Sequence, residues 1–505
     1  MKTQERAEAI RAVRNRAEQE RLEFFHDPLR YAFATVPVRD HRETWAIRSR
    51  DFKLWITSAL YDFLGFAPSP LVKELTEEFE TRAICRGSTH EIFVRVGETD
   101  DAAYIDLVND RWQVIEITAE GWRVLDDSPV KFRRSSGMLG LPYPAEGNVG
   151  ALRRFLNFRS RGDEVLMLAW LTFALCSGGP YPIALLSGVQ GSAKSTASWV
   201  LRSLIDPSEA AVTTRPRTER DLAIAATNGH LLAIDNLREI PAELSDALCR
   251  VATDGAFRTR RLYTDNEELI LRYIRPIILN GIGLDHLTTE GDMLDRAIPI
   301  HFDLITERQR IDRRTFRREF EKARPGLFGA VLDVVCAGLR DVESVEVPEL
   351  PRMAEFAKWG VAIEQKLGCE SGEFLTAYRE NIEKANDIGA EASPIFLPIR
   401  ALLERRRRFF GTAVELLEQL TLSATDLAKR HPKWPKAPNQ LSAEIMRVEP
   451  NLEKAGVLVS RGRNRRGRFI VLELRESRAR DDGGEDSAEP SSPDKSSFAN
   501  AMGAS

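Results

Sequence analysis

The chain has 505 residues, of which 43% are apolar and 29% charged. That length exceeds what one hydrophobic core organises and predicts several domains, while the composition excludes collagen-like, wholly disordered and membrane-embedded classes. A formal net charge of −4 and a pI of about 6.1 exclude a whole-molecule basic field, so any contact with nucleic acid has to come from local patches.

The opening segment MKTQERAEAIRAVRNRAEQE lacks the apolar core of a secretory signal, and Glu5, Glu8, Glu18 and Glu20 argue against a transit peptide, so a cytoplasmic location is predicted. Residues 1–150 read as an α+β module. It starts with a charged helix, continues with helical patterns at Phe52–Leu64 and Leu71–Ile84, and then gives the strand-like runs EIFVRV, AYIDLV, WQVIEI and WRVL. Their short spacing predicts an antiparallel meander. Asp106, Asp110 and Glu116 lie along it and are expected on its wet face, without a catalytic role.

The most apolar stretch, Val165–Cys176, is far shorter than the roughly 20 residues that cross a bilayer, so a buried helix and no membrane contact are expected. Five cysteines (Cys85, Cys176, Cys249, Cys336, Cys369) form no CxxC pair and read as reduced, buried thiols. The seven histidines show no helical metal-pair spacing, and no protein-only metal site is predicted.

Between 151 and 345 the pattern becomes helices alternating with short, almost wholly apolar strands: PIALLSG, AAVTT, HLLAIDN, YIRPIILNG and AIPIHF. Strands of that kind are buried on both faces, which predicts an α/β fold with a parallel sheet. The first strand runs into GVQGSAKST, Gly188–Thr196. A triphosphate needs converging backbone N–H groups, a cation for its β and γ phosphates, and a hydroxyl on magnesium; GxxxxGK[ST] between strand and helix supplies all three. Gly188, Lys194 and Ser195 match that P-loop pattern, with Val189, Gln190, Gly191, Ser192 and Thr196 completing the cradle for ATP and Mg²⁺. Ala193 stands where the second motif glycine belongs, which the loop tolerates if its φ is negative.

Asp235 ends the strand HLLAIDN and is the expected partner of Ser195 in holding magnesium. Asn236 follows where a catalytic acid is common; an amide positions water but takes no proton, so slow hydrolysis or help from Glu239 is expected. Asn280, at the end of RPIILNG, falls at the same sheet edge as a γ-phosphate sensor. Arg296, before the fifth strand, reads equally as an arginine finger into a neighbouring subunit or as an ion-pair partner of Asp292 or Asp295.

Taken in order, GVQGSAKST, LLAIDN, RPIILNG and DMLDRAI resemble the ATPase module of phage and plasmid primase–helicases, which belong with superfamily 3 helicases in the AAA+ class. The series is also similar to bacterial ATP-binding proteins that share the GSAKST loop. The resemblance covers roughly residues 150–345 and implies a five-stranded ATPase core, ring-shaped homo-oligomers, Mg²⁺·ATP as fuel and single-stranded DNA as partner. On it, Lys194 holds phosphate, Ser195 and Asp235 hold magnesium, Asn280 senses and Arg296 is the finger. Two departures stand out. Asn236 replaces the second acid, and the nearest hairpin candidate, FRTRRLYTDNEELILRYI with Arg258, Arg260 and Arg261, precedes Asn280 and has an acidic tip.

Residues 346–399 read as a helical linker, and 400–475 as a basic, winged-helix-like module. Its helix from about Asn439 is expected in a DNA groove. The turn RGRNRRGR places Arg461, Arg463, Arg465, Arg466 and Arg468 on phosphate. The run Arg405–Arg408 reads as a helix face. The Ser-, Asp-, Gly- and Pro-rich segment 476–505 is expected to be disordered. Two functions follow as alternatives: a helicase-like ATPase acting on DNA, or a nucleotide-gated regulator or scaffold that hydrolyses slowly and does not translocate.

Overall fold

The computed structural model describes residues 3–237, 240–253, 255–260, 268–281, 291–391, 393–431, 433–464 and 467–475. It divides into two units, residues 1–397 with 430–434, and residues 398–429 with those from 435 onward. Arg261, Glu239, Arg465, Arg466 and the segment 476–505 lie outside the described residues.

In the first unit, helix α1 (Thr3–Gln19) turns Ala9, Val13 and Ala17 inward, one every fourth position, against α2 (Arg50–Leu64). Strands β1 (Glu23–His26), β2 (Ala32–Val38), β3 (His41–Ala46) and β4 (Ser88–Thr89) form a sheet in the order β3-β2-β1-β4. Helix α3 (Ser69–Arg86) packs on it through Phe79, whose ring stacks on Phe24 at 5.0 Å and meets Phe52 edge-on at 5.8 Å. The sequence reading anticipates α2 and α3 but not this sheet. Its first strand is only four residues long, and its edge strand HRETWA carries charge at alternating and adjacent positions, so neither shows a clean period of two.

After β5 (Ile92–Phe93), strands β6 (Val96–Glu98), β7 (Ala103–Asp106), β8 (Val114–Ile117) and β9 (Trp122–Leu125) form the antiparallel meander, and β10 (Lys131–Phe132) pairs with β5. Asp106 corrects an expectation: it is buried rather than solvated. The Arg134 guanidinium grips both its carboxylate oxygens, at 2.9 and 2.7 Å. A buried carboxylate is tolerated only when paired in this way.

Helix α4 (Arg161–Phe173) is buried from Asp163 onward, which accounts for its apolar run. Among the described residues, no helix is long and apolar enough to cross a membrane. The parallel sheet comprises β11 (Ile183–Ser187), β12 (Leu232–Leu237), β15 (Ile277–Gly281) and β16 (Ala297–His301), in the order β12-β15-β11-β16. Between these strands come α5 (Lys194–Ile205), α6 (Glu219–Asn228), α7 (Ala242–Thr253) and the hairpin of β13 (Ala256–Arg260) with β14 (Glu268–Arg272). Side chains alternate between two cores: Ala184, Leu186, Ile278 and Ile300 face one, Ile183, Leu185, Ile277 and Leu279 the other. The first of these cores also takes in Ile105, Ile115 and Ile117 of the meander and the helix Arg313–Asp341, so residues on both sides of position 150 share it.

The sheet has four strands among the described residues where five are implied by resemblance. AAVTT contributes a single parallel bridge, Thr213 to Ile234, with two backbone hydrogen bonds of 2.9 Å to β12. Thr213 and Thr214 are exposed, and the segment lies at the sheet edge with Pro207 before it and Pro216 after it, which limits the ladder to that bridge. The cysteines also differ from expectation. Cys249 and Cys336 are buried, whereas Cys85 is exposed and Cys176 and Cys369 are half-buried.

The second unit contains the sheet β17 (Arg408–Gly411), β18 (Val457–Asn464) and β19 (Gly467–Leu474), antiparallel in the order β17-β19-β18. Between β17 and β18 run the helices Ala413–Ser423 and Pro438–Lys454, whose Leu416, Leu420, Leu441, Ile445 and Leu452 are buried. The run Arg405–Arg408 is not one helix face: the helix ends at Arg406, Arg407 takes φ +60°, and Arg408 opens β17.

One buried ion pair fastens the meander to the end of α5. Arg95, fully buried with φ +65°, donates from Nε to Asp206 at 2.9 Å and from its other nitrogens to the carbonyls of Asp106 and Leu139 at 2.9 and 2.8 Å. The other Asp206 oxygen accepts from the amides of His230 and Leu231. Burial alone pushes the Asp206 carboxyl upward, but Arg95 and Arg202 outweigh it and hold the group below the usual carboxylate range. Replacing Arg95→Met strands that charge, and the expected loss is about 3–5 kcal/mol of unfolding free energy. Urea unfolding of the full chain measures it; an unchanged midpoint contradicts the role assigned to the pair.

Candidate active site

Because β11, β12 and β15 run parallel, their C-terminal ends arrive at one edge of the sheet, where open α/β sheets bind ligands. Ser187 ends β11 and the chain turns through Gly188, at φ +151°, into the loop that starts α5 at Lys194. A Cβ on Gly188 would lie 2.7 Å from the Phe302 carbonyl, so glycine is required by close approach as well as by φ. Ser192 is buried and donates to the Val189 carbonyl at 2.9 Å, closing the loop on itself. The Ile305 amide reaches the Gly191 carbonyl at 3.4 Å, so the segment after β16 braces the loop from outside. Val189 and Gln190 are exposed on its crest.

Ala193 departs from the condition set by its sequence. It has φ +61° and ψ +28°, the left-handed region, as the residue preceding α5. Its methyl therefore occupies a conformation suited to glycine, at a cost of about 1–2 kcal/mol.

Lys194 is buried, and its ammonium donates to the carbonyls of Gly188 at 2.6 Å and Val189 at 3.0 Å. Its charge is thus held inside the loop. Ser195 and Thr196 follow on the first turn of α5, and the exposed Ser195 hydroxyl donates to Asp235 Oδ1 at 3.1 Å across the gap to β12. A hydroxyl and a carboxylate from separate elements thus converge at the mouth of a glycine loop that carries a lysine. That donor set fits a hard cation beside phosphate.

The opposite wall is set by a bulge. Strand β12 pairs with β15 at Ile234↔Leu279 and next at Leu237↔Gly281, three steps against two. Asn236 is exposed with φ +59° inside that irregularity. Its amide donates to Asn280 Oδ1 at 3.1 Å, and the buried Asn280 Nδ2 donates to Ser198 Oγ at 2.8 Å. Bulges re-aim side chains next to active sites, and this one turns Asp235 toward α5.

Arg296 stands elsewhere. Strands β11 and β16 pair from Ile183↔Ala297 to Ser187↔His301, and the Ile183 amide donates to the Arg296 carbonyl at 2.8 Å. Arg296 is therefore at the sheet edge opposite the loop, about 13 Å of strand away at 3.3 Å per residue. It is not brought together with Lys194, Ser195, Asp235, Asn236 and Asn280 in its own chain. Asp295, one of its expected ion-pair partners, meets Arg352 at 3.5 Å. Ser198 was missed in the sequence; the only available signal was the spacing of Ser195 and Ser198, three apart on one helix face.

In the second unit, Arg461, Arg463 and Arg468 are exposed on the β18–β19 hairpin. Arg463 pairs directly with Arg468, and Arg461 contacts Glu449. Like charges opposite one another on a strand pair are destabilising, so Arg463 and Arg468 concentrate positive charge at this hairpin end.

Substituting Ala193→Gly releases the strained methyl while loosening the unfolded chain, for an expected net gain of up to about 1 kcal/mol. Chemical denaturation tests it; a loss of stability contradicts the strain described.

Residues 149–388 match the family model described as actinomycete integrative conjugative element replication protein, and residues 397–490 match the model of the C-terminal domain of the same proteins. No curated protein matches the chain. Among solved structures, it is similar to the SCCmec type IV Cch active helicase at 14% identity, covering 90% of this chain and 92% of that one, with a TM-score of 0.45. It is similar also to the apo C-terminal region of NrS-1 at 11% identity, covering 92% and 98%, with a TM-score of 0.41. Residues 149–388 and 397–490 are thus similar to successive parts of the replication proteins of actinomycete integrative conjugative elements.

Proposed function

We propose that the chain is a helicase-like, AAA+-type ATPase that binds Mg²⁺·ATP at Gly188–Thr196 and acts on DNA during replication of a conjugative element. The observation that carries this reading is the 3.1 Å contact between Ser195 and Asp235 beside the buried Lys194. When bound, Mg²⁺ neutralises charge on the β and γ phosphates. The loop amides and Lys194 bind and orient those phosphates. Ser195 and Asp235 would hold the cation, and Asn280, near the end of β15 at the same edge, would serve as the γ-phosphate sensor. Arg296 acts only in a neighbouring subunit, because it stands at the far edge of its own sheet. A ring of copies supplies that geometry.

Asn236 supports a second reading. It follows Asp235 where an acid would accept a proton, and its backbone amide is engaged with Asn280. A slowly hydrolysing, nucleotide-gated scaffold fits that residue. Steady-state turnover distinguishes the two. A motor shows ATP hydrolysis raised several-fold by single-stranded DNA and abolished by Lys194→Ala. A scaffold shows ATP-dependent assembly without DNA stimulation. Nucleotide binding unaffected by Lys194→Ala contradicts both.

The second unit is proposed to be a winged helix with Pro438–Lys454 as its recognition helix and the β18–β19 hairpin as its wing. The arginines of that hairpin support phosphate contact. Replacing Arg461, Arg463 and Arg468 by alanine is expected to weaken DNA binding and to reduce the log–log salt slope by about 0.7–0.9 per lost contact. Fluorescence anisotropy over a salt series reads both; an unchanged slope assigns the hairpin to something other than DNA.

A further inference from the structure

The two walls of the cradle are joined by a closed ring of contacts, and the proposal below rests on the ATPase reading. Ser195 Oγ donates to Asp235 at 3.1 Å. Asp235 is bonded to Asn236, whose amide donates to Asn280 Oδ1 at 3.1 Å. Asn280 Nδ2 donates to Ser198 Oγ at 2.8 Å, and Ser198 returns to Ser195 along one turn of α5. The orientation of the Asn280 carboxamide is forced. A backbone N–H only donates, so Oδ1 must face Asn236 and Nδ2 must face Ser198.

Ser198 and Asn280 are both buried, at 1% and 2% exposure, so neither hydrogen bond competes with bulk water. The ring also explains how Asn236 is kept at φ +59°. The ladder slips there by one residue, and the amide that the slip unpairs is satisfied by Asn280 instead of by β15 backbone. Without that bond the bulge has no local reason to persist, and Asp235 loses the backbone conformation that aims it at Ser195.

We propose that Ser198 is a positioning residue for ATP hydrolysis: it orients Asn280, which latches the β12 bulge and so fixes the distance between Asp235 and Ser195. Ser198 touches neither nucleotide nor cation. It acts through Asn280, and its effect falls on the placement of the magnesium carboxylate rather than on phosphate binding.

The test is ATP turnover by the full chain over a Mg²⁺ titration, for the wild type, Ser198→Ala, Asn280→Ala and the double variant, with Lys194→Ala as reference. Ser198→Ala is expected to lower kcat about tenfold, leave KM for ATP within about twofold, and raise the Mg²⁺ concentration needed both for half-maximal rate and for half-maximal tightening of a fluorescent ATP analogue measured at equilibrium without turnover. The double variant is expected to be no slower than Asn280→Ala, since the two side chains act as one unit. Ser198→Thr, which keeps the hydroxyl, is expected to restore most of the rate. Wild-type kcat and Mg²⁺ requirement in Ser198→Ala, multiplicative losses in the double variant, or a Ser198→Thr variant no faster than Ser198→Ala overturns the positioning role and leaves the ATPase reading standing. Wild-type turnover no greater than that of Lys194→Ala overturns both.

Discussion

The parallel register of β12, β15, β11 and β16 is the constraint on which the candidate site depends. It sends the ends of β11, β12 and β15 to the same edge, so Gly188, Asp235 and Asn280 meet although they are far apart in the chain. It also sends Arg296 to the other edge. The register is fixed by burial on both faces: shifting any strand by one residue would exchange the apolar sets of the two cores. The cradle is thus a consequence of how the sheet is packed, and α5 inherits its position from the strand that precedes it.

Two left-handed residues without glycine's freedom, Ala193 and Asn236, stand on opposite walls of this edge. Such conformations persist where the surroundings over-determine them. Ala193 is held between a braced loop and the first turn of α5; Asn236 is held by Asn280. At its other end α5 is fixed by Asp206, whose carboxylate takes Arg95 from the meander and the two amides just before β12, those of His230 and Leu231. The helix that presents Lys194 and Ser195 is therefore clamped at both ends, and the meander is part of the clamp.

How much of this was legible follows from what each element presents in one dimension. The sheet strands announce themselves as apolar runs because both faces are covered, and the glycine loop announces itself by composition and spacing. The meander is legible because its short apolar runs are closely spaced and separated by turn-forming residues. The β1–β4 sheet is not, since β1 is four residues long and β3 is mixed in charge. AAVTT looks like a strand by composition, yet lies at an edge where one bridge forms. The left-handed turn at Ala193, the bulge at Asn236 and the role of Ser198 leave no periodic trace, because each depends on contacts between residues distant in sequence. Asp106 shows the same limit: an acid on a strand reads as solvated until its arginine, Arg134, is seen to close over it.

The match of residues 149–388 and 397–490 to models of replication proteins gives the site a setting. The function of this edge turns on whether Ser195 and Asp235 jointly hold a nucleotide-bound cation. Equilibrium titration of a fluorescent ATP analogue, with and without Mg²⁺, on wild type and Asp235→Asn examines that directly. Mg²⁺ is expected to tighten binding by the wild type, and Asp235→Asn to remove most of this gain while leaving the Mg²⁺-free affinity nearly unchanged. Equal tightening by Mg²⁺ in both proteins would contradict that joint role.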